Sequence, residues 1–139
     1  MAVIARFLID TSAAARMRLP PVAERLEPLI TGGLVATCAT LDAEALYSAR
    51  SPAEYEQVRT DRRDAYEYLP TDDGHWQQAF DAQRSLARTG RRAVGIADLL
   101  TAVLAAEHEM TVLHYDSDFE IAAEVLTFQH RWVLPRGSV

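Results

Sequence analysis

The chain contains no lysine: all 14 basic residues are arginine. Any mechanism that needs an active-site amine is therefore excluded. Every cation is instead a planar guanidinium, suited to two-point contact with phosphate or carboxylate. Cysteine is nearly absent too. Cys38 stands alone, so neither an internal disulfide nor a thiolate metal cluster can form. Its setting, Val35-Ala36-Thr37-Cys38-Ala39, suits a small buried hydrophobe rather than a nucleophile. No apolar run approaches the roughly 20 residues that cross a bilayer. Met1 to Asp10 lacks the long apolar centre and small-residue cleavage site of a secretory signal, so a cytoplasmic location without membrane contact is expected. Positive charge is also in deficit. A net charge of −6 excludes a generally basic nucleic-acid binder, but not a nuclease whose acids face metal ions.

What remains is ordinary globular material, 139 residues with 49% hydrophobic content, enough for one domain with a proper core. Val3 to Ile9 is an apolar run that reads as a buried strand. Thr11 or Ser12 caps a helix over Ala13 to Met17. Pro20-Pro21 starts a second helix, which Gly32-Gly33 ends. Leu34 to Cys38 is a second strand, and Thr40 opens a helix through Ala49. Ser51-Pro52-Ala53-Glu54 has the pattern of a capping box with proline at the first helical position, and that helix runs to about Tyr66. Tyr66 to Pro70 forms a third, shorter strand. Asp72 or Asp73 opens a helix from His75 to about Arg88, and Ile96 to His108 is another. Thr111 to Tyr115 is a further strand. Ser117-Asp118-Phe119-Glu120 reads as a second capping box, opening a short helix to about Val125, and Gln129 to Leu134 is a last edge strand. Strands alternate with helices throughout, which implies a parallel sheet with helices on both faces.

Apolar strands that end abruptly in Asp are poor core and good site material. Ligands of an open α/β sheet sit beyond the carboxyl ends of its strands. Asp10 follows the first strand and Asp116 follows the strand Thr111 to Tyr115, so both project from one edge. Glu44 lies just over one turn into the helix after the second strand. Asp98 lies in the first turn of its own helix. Brought together, four carboxylates repel, and a cation must intervene or some take up protons. Mg²⁺ accepts a few carboxylates plus water and leaves positions for a phosphate oxygen. Each acid also has a structural reading. Asp10 can simply end a strand, Asp98 can cap a helix, Glu44 and Asp42 can be solvated, and Asp118 can belong to the second capping box. The case rests on the set and its order. Two other acid-based sites fail: a phospho-acceptor receiver needs a lysine, and a haloacid-type phosphatase needs Asp-x-Asp where this chain has Asp10-Thr11-Ser12.

The ordered motifs resemble the PIN-domain ribonucleases, in particular the VapC-type toxins of bacterial toxin–antitoxin pairs. The residues concerned are Leu8-Ile9-Asp10-Thr11-Ser12-Ala13, Glu44, Ala97-Asp98-Leu99-Leu100-Thr101-Ala102, Val112-Leu113-His114-Tyr115-Asp116-Ser117-Asp118-Phe119, and the ending Arg131-Trp132-Val133-Leu134-Pro135-Arg136-Gly137-Ser138. The resemblance implies a single PIN domain over residues 1–139. Its fold would be a three-layer α/β sandwich with a central, mostly parallel sheet of four to five strands. It implies a Mg²⁺- or Mn²⁺-dependent endoribonuclease that cuts single-stranded loops of tRNA or ribosomal RNA, inhibiting translation and growth. Asp10, Glu44, Asp98 and Asp116 take the positions of the metal-binding acids, Asp118 that of an additional acid, and Thr11 that of an orienting hydroxyl. A homodimer, a cognate VapB-type antitoxin and a toxin–antitoxin hetero-oligomer are implied with it. The alternative is a non-catalytic PIN-fold module that binds RNA or protein.

Many relatives have Thr where this chain has His114. By strand alternation His114 shares a face with Asp116, and it either touches RNA or packs at the strand end. Arg88, Arg91 and Arg92 cluster before Asp98 and are candidates for phosphate contact; a solvated loop is the other reading. Arg59, Arg62 and Arg63 are expected to exchange salt bridges with Glu56 and Asp61. Trp132 is assigned to core or dimer contact, and His75, His108 and His130 to the surface.

Overall fold

Strands at the centre of the sheet are apolar on both faces because both faces are covered. The computed structural model describes residues 3–91 and 94–139. Its first strand, β1 (Phe7–Ile9), lies between β2 (Val35–Thr37) and β4 (Thr111–His114) and pairs in parallel with both. β3 (Glu67–Tyr68) and β5 (Gln129–Trp132) close the edges, giving a parallel sheet of order β3-β2-β1-β4-β5. The order reverses between β1 and β4, the neighbouring strands from which Asp10 and Asp116 emerge.

Alternation sorts the core into layers. Leu8, Ala36 and Val112 face one way and join Leu41, Leu104 and Phe119. Those partners belong to α3 (Ala39–Tyr47), α6 (Ile96–His108) and α7 (Asp118–Ala122). Ile9, Val35 and Leu113 face the other way, against Ala13, Val22 and Leu26 of α1 (Thr11–Ala14) and α2 (Pro20–Thr31). Outside the sheet, α5 (Asp73–Arg88) packs on α6 through Ala79, Ala82 and Leu86 against Leu99, Leu100 and Val103. Leu8, Leu26, Leu99, Leu100 and Leu104 are fully buried. Each contributes about 1.5–3 kcal/mol by leaving water, and Leu104→Ala would cost about 2–5 kcal/mol. The remaining helix, α4 (Pro52–Ala65), buries none of its described residues.

The helix starts differ from their sequence reading at α1, α7, α5 and α4. Asp10, not Thr11 or Ser12, caps α1: its carboxylate accepts from the Ser12 amide at 3.0 Å. Ser117 makes no side-chain cap to α7; instead Asp116 Oδ1 accepts from the Asp118 amide at 2.9 Å. Glu120, freed from that box, accepts from the Trp132 indole at 2.9 Å. A full capping box forms at α5, where the Asp72 carboxylate and the His75 ring each accept the other's backbone N–H. His75 is therefore buried rather than a surface residue, and its Nε2 lies 2.6 Å from Glu107. At Ser51 half of the expected box is present. Ser51 accepts from the Glu54 amide, while Glu54 reaches back to the Arg50 amide at 3.0 Å.

Asp42 is not solvated. It accepts from Thr37 and from Arg62, each at 2.8 Å, and Arg62 donates in turn to Thr37 at 3.0 Å. This network ties α4 to β2 and α3. It takes Arg62 out of the expected surface exchange; Arg59 does pair with Glu56, at 4.0 Å. Cys38 is buried, as its neighbours imply. No described helix is long and apolar enough to cross a membrane.

Candidate metal centre

Four elements deliver carboxylates to the carboxyl edge of the sheet. Asp10 leaves β1 buried, at 4% exposure. Its Oδ2 accepts from the Ser12 hydroxyl at 2.6 Å as well as from the Ser12 amide. The same hydroxyl oxygen accepts from the Tyr115 amide at 2.8 Å, so Ser12 ties the exit of β1 to the exit of β4. Asp116 follows two residues beyond β4, bent over the start of α7 by its bond to the Asp118 amide. Asp98 stands third in α6, among the free amides of the helix start. Glu44 lies on α3, near enough to Asp10 for the two carboxylates to repel.

Asp98, Asp116 and Asp118 each offer an oxygen within 4.8 Å of the others. Asp10 and Glu44 stand outside that tight group but within its field. Burial, then Asp10, Asp116, Asp118 and Glu44, push the Asp98 carboxyl from 3.8 up to about 7. Burial raises Asp10 as well, with Asp116 adding and the Ser12 bonds opposing. Burial and Asp10 raise Glu44; burial, Asp116 and Asp10 raise Asp118. Without a cation this site resists full ionisation. All the donors are carboxylate oxygens, the set that hard divalent cations prefer, so these residues could hold Mg²⁺ or Mn²⁺.

His114 takes the second of its two readings, packed at the strand end, and is not a substrate contact. It is fully buried and cannot touch RNA. Its ring stacks on Phe119 at 4.8 Å and meets Trp132 edge-on at 5.1 Å. The Asp116 amide donates to its Nδ1 at 3.2 Å, so the ring proton sits on Nε2, which donates to His130 Nδ1 at 2.9 Å. Burial, with His130 beside it, holds His114 down at about 4, hence neutral. The ring thus braces the backbone that carries Asp116. His130 is half-buried against it rather than free on the surface.

The arginine cluster divides. Arg88 is exposed at the end of α5, and Arg91 pairs with Glu124 at 2.8 Å. Arg92 lies outside the described residues. Two site neighbours escape the sequence reading. Ser12, rather than Thr11, holds Asp10; the signal was its place two residues after an acid, where an Asx turn forms. Arg16, one turn beyond Ser12, donates to the Ser12 carbonyl at 2.6 Å and lies 4.4 Å over the Tyr115 ring.

Comparison with known proteins gives the same fold. Residues 7–125 match the family model described as PIN domain. The chain is 43% identical over 134 residues to ribonuclease VapC21 of Mycobacterium tuberculosis, covering 96% of this chain and 97% of that protein. Ribonuclease VapC51 of the same organism is 35% identical with the same coverage. Among solved structures, DNA-bound VapBC from Salmonella typhimurium matches at a TM-score of 0.72 and 18% identity, over 94% of this chain and 99% of that one. VapBC-5 of Mycobacterium tuberculosis, a member of the VapBC family of toxin–antitoxin systems, matches at 0.63 and 26%, over 92% and 98%.

Proposed function

This chain belongs to the PIN-domain family, and we propose that it is a metal-dependent endoribonuclease toxin. Asp10, Glu44, Asp98 and Asp116 are the proposed catalytic and metal-holding acids, with Asp118 a further metal ligand. The reading rests on one observation above the rest. Asp98, Asp116 and Asp118 each offer an oxygen within 4.8 Å of the others, and burial, with four other acids adding to it, raises the Asp98 carboxyl to about 7, an arrangement that a divalent cation would relieve. Named ribonucleases among the relatives support the RNA substrate, and toxin–antitoxin complexes among the structural neighbours support a VapB-type antitoxin partner.

Bound here, Mg²⁺ or Mn²⁺ would neutralise charge on a phosphate oxygen and make an attacking water more acidic. The protein's own groups do the positioning. Ser12 fixes the Asp10 carboxylate through two hydrogen bonds to Oδ2. Asp116 is held over the start of α7 by the Asp118 amide, on a backbone braced by His114. Thr11 is the proposed orienting hydroxyl beside Glu44.

The proposal covers one PIN domain over residues 1–139, active on single-stranded loops of tRNA or ribosomal RNA in the cytoplasm. It includes a homodimer, and a hetero-oligomer in which the antitoxin silences the site. Asp10→Asn and Asp98→Asn test it. Each should abolish RNA cleavage and growth inhibition, with the circular dichroism spectrum unchanged. Full activity in both would refute the assignment.

A further inference from the structure

An acidic site in a protein of charge −6 repels the polyanion it is proposed to cut. A compensating surface lies beside it, in a groove of about 500 Å³ between α3 and α4. Its walls carry Tyr47, Tyr55, Tyr68, Arg59, Arg62 and Arg63. Three tyrosines are exposed there, Tyr47 at 92%, Tyr68 at 54% and Tyr55 at 42%. Nothing in the packing of the chain requires them outside. On α4, Tyr55, Arg59 and Arg63 recur every four residues and so form one stripe along the helix. Arg62 is pinned by Asp42 and Thr37, which fixes that wall of the groove. Arg59 makes one loose contact, 4.0 Å to an exposed Glu56, and among the described residues no ion pair engages Arg63.

The groove opens on the same edge as the acids. Tyr68 is in register with Thr37, and Leu8 with Ala36, so Tyr68 sits level with Ile9, one residue before Asp10. Two strand spacings separate them, about 10 Å. Tyr47 stands three residues after Glu44 on α3, on the adjoining helix face. Flat aromatic faces alternating with guanidinium groups match bases alternating with phosphates.

We infer that the α3–α4 groove binds the single-stranded RNA segment flanking the cut, bases stacking on Tyr47, Tyr55 and Tyr68 and phosphates meeting Arg59 and Arg63. The inference rests on the proposed ribonuclease reading for its substrate, but its test does not need cleavage. In an Asp10→Asn background, binding of a short unstructured fluorescent RNA is followed by anisotropy. Tyr47→Ala should weaken affinity about 5- to 100-fold, and Tyr47→Phe should retain it. Replacing Arg59 and Arg63 together by Ala should weaken binding and flatten the salt dependence by about 1.4 in log–log slope, roughly 0.7 per phosphate lost. These effects uphold the groove even if the parent cuts no RNA. Unchanged affinity in both the Tyr47→Ala and the double arginine variants overturns it. So does unchanged RNA affinity with loss of a co-purifying antitoxin, which gives the groove to a protein partner.

Discussion

Replacing Asp98 by Asn should stabilise the metal-free protein, although it removes a proposed catalytic group. The half-buried Asp98 carboxyl rises from 3.8 to about 7 on folding. A carboxyl raised in this way binds its proton more tightly folded than unfolded. Its ionisation therefore opposes folding, and stability falls as pH climbs from about 4 to about 7, then levels. The shift is about 3 units, and each is worth 1.36 kcal/mol, so the ceiling is about 4 kcal/mol. Relaxation of the cluster makes about 2 kcal/mol a reasonable expectation. Asn keeps the shape and removes the charge. Urea unfolding in EDTA should give Asp98→Asn a higher midpoint at pH 8, with the gain vanishing near pH 4. A saturating divalent ion should reverse the ranking, because it stabilises the parent by binding the folded state alone. An Asn variant no more stable than the parent at pH 8 in EDTA, or a gain independent of pH, would refute the claim that burial and the neighbouring acids together oppose ionisation of Asp98.

The other consequences follow from neighbouring groups. His114 is held down to about 4 from 6.5; its neutral form favours folding above pH 6.5, and about 3 kcal/mol should be lost as pH falls toward 4. The slope opposes that of Asp98 and offsets it in the parent, so it is read from His114→Phe, which leaves the Asp98 slope uncompensated and whose unfolding midpoint should rise relative to the parent's as pH falls from 6.5 to 4. Ser12→Ala leaves Asp10 Oδ2 and the Tyr115 amide short of a partner, which should cost about 1–2 kcal/mol in thermal unfolding and reduce cleavage more than RNA binding. Arg62→Ala strips Asp42 and Thr37 of their shared donor. It should cost about 2 kcal/mol, mostly recovered in a double-mutant cycle with Asp42→Asn.

The sheet was legible because its strands carry their own signal: Phe7–Ile9, Val35–Thr37 and Thr111–His114 are apolar on both sides and bounded by polar turns. The emergence of Asp10 and Asp116 on one edge follows from that geometry alone. The crowding of Asp98 and Glu44 about them needed helices to return to the edge, which spacing cannot specify and which the ordered family motifs supplied. Side-chain partners were the least legible. Asp42, His75 and His130 read as surface groups, because their partners Arg62, Glu107 and His114 are between 16 and 32 residues away. Alternation alone left His114 between RNA contact and packing; its ring packs inward, against Phe119 of α7 and His130 and Trp132 of β5.

The central claim, that these acids form one cation-dependent site for cutting RNA, meets its most direct test in cleavage of an end-labelled tRNA by the purified chain, first in EDTA and then with Mg²⁺ or Mn²⁺ restored. The expected result is no cleavage in EDTA and discrete cuts on restoring either ion. Cleavage that persists undiminished in EDTA, or none with either ion, would contradict it.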